Sequence, residues 1–174
     1  MPVNDPLEKH WYIAYVQSCK EKKAAESLGR CGYEYYLPIQ KELHKWSDRN
    51  KLVDRLVLPR LIFIRCMEHE RIPIRQNVHY IAGFMSVRGP YTPAIVRDEE
   101  MEIFRRMVEG GRRVDIQSER PVAGDKVRVV DGPLQGFQCQ LIEVDGKRCV
   151  AVSLGAVGTA TMQLDIDSVE KIQE

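Results

Sequence analysis

Residues 124–152 read GDKVRVVDGPLQGFQCQLIEVDGKRCVAV, and three short strands fit into this stretch. Residues 126–130 alternate, with Val127 and Val129 on one face. Asp131-Gly132-Pro133 ends that run in a turn suited to a residue with φ > 0. After Gly136, residues 138–144 read as a second strand. Asp145-Gly146 is a two-residue hairpin signal, and residues 148–153 return as a third strand. Short strands joined by glycine-marked turns predict a small barrel, in which about five strands close on themselves and hide their edges.

The bulk numbers set limits on the rest. A chain of 174 residues makes one domain or two small ones, and 44% hydrophobic with 29% charged residues is enough for a real core. The net charge is only +1, from 26 basic and 25 acidic residues, so any nucleic-acid contact is expected to be local and the main partner a protein. No run approaches the ~20 apolar residues of a membrane span, and MPVNDPLEKH lacks the layout of a signal peptide. Five cysteines (19, 31, 66, 139 and 149), odd in number and without a C-x-x-C pair, read as buried or half-buried thiols of a reducing cytoplasm. The chain is expected to be cytoplasmic, without membrane contact.

Upstream of the barrel, residues 1–9 are expected as a tail, and residues 11–16 (WYIAYV) as a central strand. A helix opened at Ser18 or Cys19 follows over residues 20–31, with Ala24, Ala25, Leu28 and Cys31 at helical spacing. Residues 33–45 are expected as one strand, 46–51 as a polar hairpin tip, and 52–56 as its return. The apolar run from 58 to 65 (LPRLIFIR) suggests a strand buried on both faces. A short helix over 68–75 broken or capped near Pro73, a strand over 80–87 and a short one over 94–96 come next. Then an acid-started helix begins at Asp98, with Met101, Phe104 and Val108 on its apolar face. Residues 110–120 (GGRRVDIQSER) read as a charged linker.

The G-D-x-V, D-G-P and G-F pattern of the opening stretch resembles the KOW motif of transcription factors and ribosomal proteins. The order of elements from residue 11 to 172 resembles the NusG family of transcription elongation factors. The residues that carry the likeness are Leu58-Pro59-Arg60-Leu61-Ile62-Phe63 at the F-P-G-Y-V-F position, Arg75 with Ile81-Ala82-Gly83-Phe84, and residues 159–171 at the A-T-P-V-E-L-D-F ending. The fold implied is α+β: a NusG N-terminal α/β sandwich over residues 1–110, a linker over 111–120 and a small SH3-like KOW β-barrel over 121–174.

This resemblance implies that the N-terminal domain docks on the clamp helices of the largest subunit of RNA polymerase through an apolar pocket. Carried over residue by residue, the pocket is Ile13, Tyr15, Leu58, Pro59, Phe63 and Phe84. Plain hydrophobic core is the competing reading for these, above all for Ile13 and Phe63. The hairpin tip, with Trp46 and Arg49, would meet the opposite jaw on the second-largest subunit. Lys20, Lys22, Lys23 and Arg30, with Arg75 and His79 as a weaker pair, would face non-template or upstream DNA in the elongation complex, against the plainer reading of a solvated face. The bound protein would hold the clamp closed and suppress pausing and termination, as a monomer with no cofactor or metal.

Two departures point to a specialised paralogue similar to the RfaH or UpxY type, which serve single operons such as those for capsular polysaccharide. Arg60 stands where the family has Gly, and the loop of residues 154–159 (LGAVGT) lacks the aromatic of I-F-G-R. That aromatic belongs to the surface for termination factor Rho and ribosomal NusE, so its absence counts against both partners. The strand-rich barrel with Gly132, Pro133, Gly136 and Gly146 also speaks against a refolded helical form.

Housekeeping NusG function and a ribosome-associated KOW protein are the alternatives. Residues 121–174 carry five basic and eight acidic side chains, a net of −3, which disfavours RNA wrapping. An enzyme is not expected. His10, His44, His69 and His79 are scattered, no zinc spacing exists, and Cys19 has no histidine that could be placed beside it.

Overall fold

The computed structural model describes residues 7–89, 92–118 and 124–172; most of the tail expected over 1–9, the end of the expected linker, and the first and last residues of the expected barrel lie outside these. The chain divides into two units, one from the chain up to Pro38 together with Leu58–Asp98, the other from Ile39–Val57 together with Glu99 onwards.

In the first unit, β1 (His10–Val16) is central in the sheet, between β5 (Leu61–Cys66) and β6 (Ile81–Phe84), with β2 (Glu34–Tyr36) outside β5 and β7 (Ile95–Val96) also pairing with β1. Every pairing in this sheet is antiparallel. Tyr12, Ala14 and Val16 share a buried cluster with Ala24, Ala25 and Leu28 of α1 (Glu21–Arg30) and Ile74 of α2 (Arg71–Asn77). Helix α1 is amphipathic because its apolar residues recur at three- and four-residue spacing. Cys31, expected on that face, is exposed just beyond the helix end. The helix also starts later than expected, because residues 17–20 form a turn closed by the Lys20 N–H on the Gln17 carbonyl at 3.1 Å. Pro73 does not break α2, because it lies in the first turn, where its missing N–H is one that a helix leaves unpaired anyway; a 3₁₀ turn, Glu68–Glu70, precedes it.

The run of residues 33–45 is not one strand. It breaks at Leu37-Pro38, and the two pieces serve different sheets: β2 pairs with β5, and β3 (Ile39–Lys45) pairs with β4 (Asn50–Leu56). Proline has no N–H for a ladder, so the chain changes partners there. The apolar run from 58 to 65 is shorter as a strand than expected, because Leu58–Arg60 is a turn.

The second unit holds the β3–β4 hairpin, most of α3 (Asp98–Glu109) and a six-stranded antiparallel sheet. The order in that sheet is β13 (Val169–Lys171), β9 (Asp125–Val129), β10 (Gln138–Val144), β11 (Lys147–Ser153), β12 (Thr159–Gln163) and β8 (Val114–Gln117). Strand β8 is the correction to the sequence reading: residues 114–117, expected within a linker, form an edge strand on β12. Val114, Val127, Val129, Leu134, Val150 and Ala160 are fully buried. The Asp145-Gly146 turn closes the β10–β11 hairpin as expected, with Asp145 at φ 50° and Gly146 at φ 74°. Gly158, at φ 126°, leads into β12, and a methyl group there would run into the Gln117 carbonyl of β8.

Two outcomes follow from this packing. Gly158→Ala should destabilise the chain by about 2 kcal/mol, through a disfavoured φ and a forced contact, read as a shift in the urea midpoint. The cysteines divide as well: Cys19 and Cys31 are exposed, against the expectation of burial, whereas Cys66, Cys139 and Cys149 are buried. Burial pushes the Cys66 thiol up to about 12 and that of Cys139 to about 11. Neither is a thiolate at neutral pH, so a thiol reagent should modify two cysteines quickly and the other three only on unfolding.

Candidate docking surface

Strand β1 sorts the expected pocket residues. Its side chains alternate, so Trp11, Ile13 and Tyr15 stand on the face opposite to Tyr12, Ala14 and Val16. Ile13 lies opposite Phe63, and Tyr15 lies opposite Leu61 on one side and Gly83 on the other. Ile13 and Phe63 are completely buried and Leu58 nearly so, whereas Tyr15 is 44% exposed and Pro59 is exposed. Gly83 has no atom within 4 Å of where a Cβ would sit, which leaves open space beside Tyr15. Phe84 is not with the others. Its register partner is Ala14, so it stands on the helix-bearing face, half-buried, in an edge contact with Tyr12 at 6.3 Å and under the Arg71 guanidinium at 5.9 Å. The six residues therefore separate into an exposed pair (Tyr15 and Pro59), three buried side chains, and one on the far face.

Sequence reasoning missed the way the end of β1 is built. Leu58-Pro59-Arg60-Leu61 is a turn with proline at its second position and Arg60 at φ 65°, closed by the Leu61 N–H on the Leu58 carbonyl at 3.4 Å. That is the φ > 0 slot of a type II turn, which favours glycine. Arg60 is held there from both sides: its carbonyl accepts the Val16 N–H at 2.8 Å, and its own N–H donates to the Glu21 carboxylate at 3.0 Å. Glu21 is buried, at 5% exposure, in the first turn of α1, where a negative charge also suits the helix dipole. Cys19 (φ 59°) and Tyr80 (φ 73°) adopt the same left-handed conformation, and the Tyr80 carbonyl accepts the Gln17 N–H at 3.0 Å. Three left-handed turns thus meet where β1 ends, each costing about 1 kcal/mol or more. The signal for Arg60 was in the sequence, since the residue after a turn proline is the one asked to take φ > 0. Nothing comparable marks Tyr80.

The expected basic residues fall into groups. Lys20 Nζ lies 6.0 Å from the centre of the Tyr80 ring, and His79 packs beside the same ring, also at 6.0 Å. Lys22 and Lys23 are exposed in the first turn of α1, and Arg75 is exposed in the last turn of α2. Arg30 sits at the other end of α1, paired with Glu26 at 3.5 Å. Trp46 and Arg49 are brought together as expected: the Trp46 N–H donates to the Arg49 carbonyl at 2.9 Å across the β3–β4 turn, and the Trp46 side chain is 63% exposed. Leu43 and Leu52, directly opposite each other on that hairpin, are exposed too. In the β11–β12 loop, Leu154 is buried, and the 3₁₀ turn Gly155–Val157 offers the surface only small or half-covered side chains. Among the described residues, no three His, Cys, Asp or Glu side chains gather as metal ligands, and no helix is long and apolar enough to cross a membrane.

A mixed sheet-and-helix unit followed by a small antiparallel sheet is the architecture of a two-part NusG fold, and the comparisons with known proteins agree. The family described as "Transcription termination factor nusG" matches residues 9–105, and the KOW motif matches residues 123–154. The chain belongs to the NusG family. The transcription termination/antitermination protein NusG of Bacillus subtilis is 25% identical over 95% of this chain and all of its own length. The Vibrio cholerae protein of the same name is 24% identical over 98% of this chain and all of its own. Among solved structures, one titled "Domain interaction in Thermotoga maritima NusG" is similar in fold, with a TM-score of 0.52 and 23% identity over 97% of this chain. The relatives are transcription factors and not enzymes, and the chain is read as one.

The split between buried and exposed candidates has a direct test. Ile13→Ala and Phe63→Ala should each cost about 2–5 kcal/mol of unfolding free energy, because each removes a fully buried side chain. Tyr15→Ala should cost less than about 1 kcal/mol in the same urea titration, as a largely exposed ring does.

Proposed function

We propose that this chain is a specialised NusG-type factor that docks on RNA polymerase and suppresses pausing and termination in chosen operons. The observation that carries the reading is Tyr15, a large aromatic held 44% exposed on a strand whose other large side chains are buried. An aromatic kept out of the core beside an exposed proline is the composition of a binding anchor. The partner at this surface is the clamp helices of the largest polymerase subunit, and Ile13, Phe63 and Leu58 support it from beneath. The hairpin tip, with Trp46 and Arg49, reaches the second-largest subunit. Lys20, His79 and their exposed neighbours Lys22, Lys23 and Arg75 add phosphate contacts to non-template or upstream DNA. With a net charge of only +1, such contacts strengthen a dock made elsewhere instead of replacing it. No bond is made or broken. The bound state favours a closed clamp, and the populations that lead to pausing and release shrink in proportion.

Specialisation is supported by two features, Arg60 in a turn built for glycine and a β11–β12 loop with its one large apolar side chain, Leu154, turned inward. The second feature argues against Rho and ribosomal NusE as partners of that loop. Capsular polysaccharide operons are the proposed targets by likeness to the RfaH and UpxY type. Housekeeping NusG function is the second reading, favoured by the full-length match to the Bacillus subtilis protein.

The test uses the full chain and its Tyr15→Asp variant as baits for bacterial RNA polymerase, followed by transcription across a terminator. The expected result is retention and read-through with the natural chain, and at least tenfold weaker retention with the variant. Equal retention of both would overturn the docking site. Strong binding of purified Rho by the natural chain would favour the housekeeping reading.

A further inference from the structure

The base of the β3–β4 hairpin carries a buried polar network that neither the family match nor the sequence pattern accounts for. Gln40 is 7% exposed, and its amide is fully used. Nε2 donates to the Val108 carbonyl at 3.0 Å and the Arg112 carbonyl at 2.8 Å. Oε1 accepts the Val114 N–H at 3.0 Å and Arg55 Nη2 at 2.9 Å. Arg55 Nη2 also donates to the Val114 carbonyl at 2.7 Å. Val114 opens the edge strand β8, and its N–H and C=O point away from β12 because both are taken by these side chains. Gln40 and Arg55, directly opposite each other on the hairpin, therefore satisfy the outward-facing groups of Val114 at the start of β8 as the backbone of a neighbouring strand would. A shell of ions surrounds them: Arg55 lies 3.5 Å from Glu42 and 3.7 Å from Asp115, and Arg113 bridges the same two acids at 2.6 and 3.0 Å.

We propose that Gln40 and Arg55 form a latch that holds β8 on the sheet of the second unit. Latched, the hairpin, the end of α3 and that sheet move as one body. With the latch open, residues 112–117 peel from β12 and become a free connection, so the sheet swings independently of the hairpin. The device has a buried amide, Gln40, and a more exposed set of ions around Arg55 and Arg113, and salt weakens the second. Edge strands are where local opening starts, and β8 has only four residues to resist it. This inference does not depend on what the chain binds.

Amide hydrogen exchange of the full chain tests it. Asp115 and Gln117 point their N–H groups at β12, given that Val114 points away. In Gln40→Leu and in Arg55→Lys, exchange at these two amides should rise at least tenfold, while Leu141 and Cys149 in the β10–β11 hairpin stay within twofold of the natural chain. Unchanged exchange at Asp115 and Gln117 in both variants would overturn the latch. So would an equal rise across the whole sheet, because β8 would then have no opening of its own. Should Gln40→Leu fail to fold, Arg55→Lys, which keeps the charge but loses the paired geometry, decides the question by the same two readings.

Discussion

The structure of the first unit depends on β1 having a neighbour on each side and two unlike faces. Its ladder to β5 runs from His10 to Tyr15 without a break, and its ladder to β6 covers only the last residues, with a register shift between Tyr15 and Val16. One face of the strand packs the Tyr12 ring, Ala14 and Val16 into a buried cluster with α1 and α2. The other carries Trp11, Ile13 and Tyr15, of which only the last is exposed. Because the period of a strand is two, a slip of one position would exchange the helix-facing side chains with those of the opposite face along the whole strand. The exposure of Tyr15 is thus set by register, and its freedom by Gly83 alongside.

The second unit meets a different constraint, that of edges. Among the described residues, the hydrogen-bonded path of its sheet ends at β13 on one side and β8 on the other, with no further strand beyond either. At β8 the problem is met by side chains instead of a further strand: a glutamine and an arginine imitate two backbone groups. A neutral amide suits this position because it offers donors and an acceptor at once without the desolvation cost of a buried charge. Arg55, which does bring a charge, keeps part of it in contact with Glu42, Asp115 and solvent.

Much of this was legible in the sequence. The strands around Asp145-Gly146 lie where alternation and turn chemistry put them, because a two-residue hairpin fixes its own register. The long amphipathic helix after Asp98 was equally plain. Errors arose where tertiary pairing overrode local pattern. Residues 33–45 look like one strand, but Pro38 hands the chain from one sheet to another. Residues 110–120 look like a linker because β8 is short, charged and only partly apolar, and the outward groups of its Val114 are satisfied by Gln40 and Arg55, far away in sequence. The candidate site was legible in kind but not in detail. The core reading was strongest for Ile13 and Phe63, which are buried, but it did not mark Leu58 as buried too, and no pattern revealed that Phe84 faces the helices.

Arg60 shows how a turn can change its side chain without changing its shape. The turn needs a left-handed residue, glycine is the usual answer, and here the backbone keeps that conformation with a long cationic side chain attached. The hydrogen bonds from Val16 and to Glu21 make this tolerable, since they hold the peptide groups of residue 60 whatever its side chain. Backbone geometry and side-chain identity are thereby uncoupled at one exposed point next to Pro59 and the end of β1. Such a position can accept charge, bulk or nothing at all over the course of divergence, while the scaffold that presents it stays fixed.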